Sequence, residues 1–103
     1  MAAADRRKNM RLSRRILVTI NNQPGLLLDI SRTGIRVSTA MVPEKRRVDI
    51  RLQADKRIFN LKGYINWINR KYFVQNLKEM GISIEAAEPD YYRFLDKLFP
   101  DAS

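Results

Sequence analysis

From residue 16 onward the chain is patterned in short apolar alternations. ILVTI (16–20) is followed by NNQPG and then LLLDIS (26–31), which reads as a hairpin whose turn uses Asn, Pro and Gly for their backbone preferences. GIRVST (34–39) sets Ile35 and Val37 against Arg36 and Ser38, and RRVDIRLQ (46–53) sets Val48, Ile50 and Leu52 against Asp49 and Arg51. A period of two with one apolar face predicts a half-buried strand in each case. RIFNLKGYINWIN (57–69) aligns Phe59, Leu61, Ile65 and Trp67 on one face, with Gly63 interrupting the series as at a bulge or bend. That alignment predicts a core position for Trp67 and an outward one for Tyr64.

KYFVQNLKEM (71–80) fits neither period, but MGISIE (80–85) alternates again with Ile82 and Ile84 inward. About six or seven short strands, one of them bent, predict a small barrel. After AAEP the period changes: Tyr91, Phe94, Leu95 and Leu98 recur at helical spacing, with Pro89 suited to a first helical turn and Pro100 beyond the end. A helix over about 88–99 is expected to pack on the barrel.

The first residues break this pattern. Residues 1–15 hold six Lys+Arg and one acid, with Met10 and Leu12 as sizeable apolar groups, so 1–14 is read as a flexible basic arm and 15–103 as the barrel with its helix. A length of 103 residues fits one such domain.

Composition narrows the chemistry. Without cysteine or histidine there are no disulfides, no thiolate or imidazole metal ligands, no cysteine nucleophile and no histidine base. Carboxylates and serines remain, but no base stands ready to activate a hydroxyl and no acidic cluster suits magnesium, so neither catalysis, a metal nor a cofactor is expected. The apolar runs are short and the N-terminus lacks a signal-peptide pattern, which predicts a cytoplasmic protein without membrane insertion. Twenty Lys+Arg against eleven Asp+Glu, a net +9, point to a phosphate-bearing partner.

Asp29, Ser31 and Gly34 form D-x-S-x-x-G between two predicted strands. Such residues stabilise a hairpin turn by local bonding and glycine freedom, and a carboxylate and hydroxyl two apart can equally hold a ligand. R-x-x-x-R occurs four times, at Arg7/Arg11, Arg11/Arg15, Arg32/Arg36 and Arg47/Arg51. Only the first two pairs precede the first strand, on an arm free to reach the Asp29 turn.

In this order of motifs, completed by G-x-x-x-W (Gly63, Trp67), the glycine-led strand at Gly81 and the terminal helix, the chain resembles the PilZ domain family over nearly its whole length. The resemblance implies a six-stranded antiparallel barrel with a C-terminal helix that binds cyclic di-GMP. The arm would wrap the ligand and a downstream protein would respond. Arg7/Arg11 is the favoured pair, because it leaves Leu12 to Arg15 as a hinge. An arginine at the preceding position, Arg6, suits two intercalated messenger molecules.

The chemistry of the residues agrees. Guanine O6 and N7 suit a guanidinium, and its N1 and N2 donors suit a carboxylate, so Arg6, Arg7, Arg11, Asp29, Ser31 and Gly34 form the candidate ligand site. Micromolar affinity needs about 8 kcal/mol and a bidentate base contact supplies roughly 1 to 3, so several must act together. Nonspecific RNA or DNA binding, with Trp67 and Tyr64 as a stacking platform, is the less favoured alternative, as is an interaction module that binds no nucleotide. The cluster Lys45, Arg46 and Arg47 is expected to be a solvated loop.

Overall fold

The computed structural model describes residues 16–54, 56–69 and 77–98. The arm with Arg6, Arg7, Arg11 and Arg15, most of the ambiguous KYFVQNL segment, and Phe99 lie outside the described residues.

Among the described residues six strands form: β1 (Ile16–Ile20), β2 (Gln23–Ile30), β3 (Gly34–Thr39), β4 (Arg47–Ala54), β5 (Arg57–Asn69) and β6 (Lys78–Ala87), followed by helix α1 (Pro89–Leu98). All pairings are antiparallel and the sheet closes in the order β1-β2-β3-β6-β5-β4. Closure satisfies the sheet edges that a small open sheet would expose. Alternation is cleanest in β4, where Val48, Ile50, Leu52 and Ala54 point inward and every intervening residue points out. Phe59, Leu61 and Ile65 of β5 join them, as do Val37, Met80 and Ile82.

The first hairpin differs from its expected form. Its turn is the pair Asn21–Asn22, with φ of 51° and 70°, while Pro24 and Gly25 belong to β2 opposite Thr19 and Val18. Two consecutive positive φ angles make the tight turn whose twist matches that of the strands. Asn21 stabilises it by bonding across to β4: its N–H donates to the Asp49 carbonyl and its Oδ1 accepts from the Asp49 N–H, both at 2.8 Å.

Helix α1 closes one end of the barrel. Pro89 opens it, Asp90 in its first turn and Lys97 in its last complement the helix dipole, and Tyr91, Phe94 and Leu95 fall on one buried face. Phe59 receives that face, its ring 5.0 Å from Phe94 and 6.1 Å from Tyr91. Burying three such side chains contributes on the order of 5 kcal/mol, far more than helix propensity could. Among the described residues no helix is long and apolar enough to cross a membrane.

Candidate functional site

The turn from β2 to β3 is built by one side chain. Ser31 Oγ accepts from the N–H groups of Thr33 and Gly34 at 3.3 and 3.2 Å and donates to the Gly34 carbonyl at 3.1 Å. A hydroxyl has one hydrogen and two lone pairs, so Ser31 is fully engaged in holding the turn. Gly34 has no positive φ; its reason is space. A Cβ there would stand 2.8 Å from the Ile82 carbonyl oxygen of β6, an approach only glycine permits.

Asp29 points outward because β2 is irregular just before it. Leu27 pairs with Val37 and Asp29 with Arg36, which leaves Leu28 as an extra residue in the ladder. The carboxylate stands 3.7 Å from Arg36 Nη2, and Arg36 Nη1 lies 3.8 Å from Glu79 Oε1. Both separations are long and both partners partly exposed, so the arginine is shared loosely between two acids.

Following the register across the wall from Asp29 gives a row: Asp29 opposite Arg36, Arg36 opposite Gly81, Gly81 opposite Trp67. Trp67 is not in the core. A second irregularity, between Ile65 and Trp67, shifts the pairing by one residue and carries the indole to the outer surface, where it is 43% exposed. It lies across Gly81, where any Cβ would collide with the indole ring. Tyr64 is outward as expected, at 37% exposure.

The result is an open cleft of about 310 Å³ on the outside of the barrel. Asp29, Ser31, Thr33 and Gly34 line one side, Arg36 and Gly81 the floor, and Asn66, Trp67 and Ser83 the other side. A bulge bounds each flank, and bulges commonly re-aim side chains beside sites. Sequence reasoning finds Asp29, Ser31 and Gly34 but passes over Arg36, whose spacing to Arg32 recurs too often to be informative. It also misses Asn66 and Ser83, and it favours the core for Trp67, keeping an exposed stacking role only as the alternative. A glycine in a strand that pairs with an aromatic residue was the available signal, since an indole readily covers a residue without a side chain.

The cleft is tied to α1. Tyr91 Oη donates to the Ser31 carbonyl at 2.9 Å, and Arg32 Nη1 donates to Asp96 Oδ1 at 2.9 Å while its guanidinium lies 4.9 Å from the centre of the Tyr92 ring. Burial, with Tyr92 as a lesser cause, pushes the Tyr91 phenol well above the ordinary tyrosine range. Lys45, Arg46 and Arg47 are exposed as expected, with Arg47 opening β4; Arg46 Nη1 still donates to the Ile65 carbonyl at 2.7 Å, and Arg47 lies 3.5 Å from Glu85.

Comparison with family models, with curated proteins and with solved structures finds no match for this chain.

Proposed function

We propose that the chain is a noncatalytic receptor for cyclic di-GMP, organised as in the PilZ domains that its sequence resembles. The observation that carries this reading is the cleft itself: a carboxylate, a guanidinium and an exposed indole stand in one cross-strand row beside the D-x-S-x-x-G turn. A carboxylate suits the N1 and N2 donors of guanine, an indole face suits a stacked purine, and a cation suits a phosphodiester. Ser31 and Gly34 serve through the turn that presents Asp29.

The arm completes the proposed site. Strand β1 begins at Ile16 and runs antiparallel to β2, so Ile16 and Asp29 lie toward the same end of the barrel. Arg11 is five residues before Ile16, a reach of up to about 17 Å in extended chain. A cyclic dinucleotide is larger than an open cleft of about 310 Å³, so part of it stays outside the wall, where Arg6, Arg7 and Arg11 would cover it. Ordering the arm over the ligand changes the surface beside α1, which is how a downstream protein of motility, biofilm or polysaccharide-type pathways would sense occupancy.

Calorimetric titration with cyclic di-GMP tests this. Saturable binding is expected, with GMP far weaker, with loss in Arg7→Ala, Arg11→Ala and Asp29→Ala, and with quenching of the fluorescence of Trp67, the single tryptophan. Wild-type affinity in all three folded variants would sink the assignment.

Exposed Tyr64 opposite Arg47, together with Trp67, gives nonspecific single-strand binding its support as a second reading. It requires a steep salt slope and loss spread over many cations, whereas the receptor reading concentrates loss at the named residues.

A further inference from the structure

Arg36 stands on the floor of the cleft with its donors open. Arg32 and Arg46 each donate a hydrogen bond, whereas the guanidinium of Arg36 donates none among the described residues. Its Nη2 lies 3.7 Å from Asp29 Oδ2 and its Nη1 lies 3.8 Å from Glu79 Oε1, and both separations exceed a hydrogen bond. Five N–H groups in a planar fork are therefore free to meet a ligand, on a side chain that is 42% exposed. The arginine is placed but not saturated.

The two acids that place it differ in position. Asp29 faces Arg36 from β2 and lines the cleft. Glu79 is in β6, two residues before the Gly81 that faces Arg36 from the other side, so it shares the outer face and approaches the guanidinium diagonally. One acid thus stands at each terminal nitrogen. An oxyanion that takes both nitrogens has to displace the Glu79 carboxylate.

We infer that Arg36 receives a phosphodiester of the ligand and that Glu79 is a built-in competitor, a carboxylate that neutralises the guanidinium before binding and yields it to the ligand. This rests on the cyclic di-GMP reading above. A phosphodiester presents two equivalent oxygens sharing one charge, which match two N–H groups of a single guanidinium. The Arg36–Glu79 pair is long and both side chains are about two-fifths exposed, so it is weak and readily exchanged. Asp29 stays available for the guanine donors.

The test is calorimetric titration of the full chain with cyclic di-GMP at physiological ionic strength, with a thermal melt of every variant. Arg36→Ala is expected to weaken binding about tenfold, and Arg36→Lys to recover part of the loss, since lysine keeps the charge without the fork. Glu79→Gln is expected to tighten binding about threefold. Introduced into Arg36→Ala, the same change should have almost no effect, because the competitor has lost what it competes for. Asp49→Asn alters net charge equally on β4, three strands from β3 around the barrel, and should leave affinity unchanged because salt screens over about 8 Å. An equal gain from Glu79→Gln with and without Arg36 would reduce Glu79 to general repulsion and overturn its role as competitor. No gain at all, whatever the melting temperature, would overturn it too. Wild-type affinity in folded Arg36→Ala would overturn the phosphodiester contact while leaving the receptor reading intact. Absence of cyclic di-GMP binding by wild type would overturn that reading and this assignment with it.

Discussion

The hydroxyl of Tyr91 donates to the carbonyl of Ser31 at 2.9 Å across sixty residues of sequence, joining the first turn of the helix to the turn that presents Asp29. Tyr91 has no exposed surface, so this bond is made inside the seam between helix and barrel. Replacing Tyr91 by Phe keeps the ring contact with Phe59 and removes only the donor. A loss of about 1 kcal/mol is expected, read as a lower urea midpoint at unchanged slope. Tyr91→Ala should cost about 3 to 5 kcal/mol. Arg32→Ala should cost about 0.5 kcal/mol, since the Arg32 and Asp96 side chains are 58% and 67% exposed.

Burial of the same phenol gives stability a dependence on pH. The folded state holds the Tyr91 pKa above that of the unfolded chain, whose tyrosine titrates near 10.0. The stabilisation is therefore complete below that value and declines as pH rises beyond it, because the unfolded chain can then release a proton that the fold retains. Urea midpoints taken between about pH 8 and 11 should show wild type falling faster than Tyr91→Phe, which cancels the many other groups common to both. Parallel curves would show that Tyr91 ionises as easily in the fold as out of it.

The pattern along the chain was sufficient for β4, for α1 and for β5 as far as Ile65, since there the apolar period coincides with the buried face. It failed where backbone geometry overrides periodicity. Pro24 and Gly25 look like turn residues, yet two asparagines with positive φ make the turn and leave them in β2. Trp67 keeps step with Phe59, Leu61 and Ile65 only on paper, because a one-residue bulge reverses its side. For the site, Asp29 and Gly34 were legible as types, but the reason for Gly34 was not. A close approach to a carbonyl in β6 depends on which strands become neighbours, which no local motif records.

Two glycines of the cleft should therefore respond differently to a methyl group. At Gly34 the obstacle is the Ile82 carbonyl, backbone that cannot swing aside, so Gly34→Ala is expected to destabilise the barrel by about 1 to 3 kcal/mol. At Gly81 the obstacle is the Trp67 indole, an exposed side chain that can rotate away. Gly81→Ala should keep most of the stability, redden the tryptophan emission and weaken ligand binding. Equal losses of stability in the two variants would show that Trp67 is as rigidly held as the sheet.

The proposed stoichiometry turns on Arg6. With Arg7/Arg11 as the operative pair, Arg6 immediately precedes it and adds a third guanidinium beside that pair. A single cyclic di-GMP offers two guanines and two phosphodiesters, which Arg7, Arg11 and the Asp29 side of the cleft can meet. Two intercalated molecules double both, and a third cation then has a purine face to stack on or a phosphate to pair with. The cleft, at about 310 Å³, leaves room for this because it is open outward rather than enclosed. Calorimetry should give two messenger molecules per wild-type chain and one for Arg6→Leu, with the retained site at near wild-type affinity. One molecule in both proteins would reject the role of Arg6 and, with it, the choice of Arg7/Arg11 over Arg11/Arg15; two in both would reject the role of Arg6 alone.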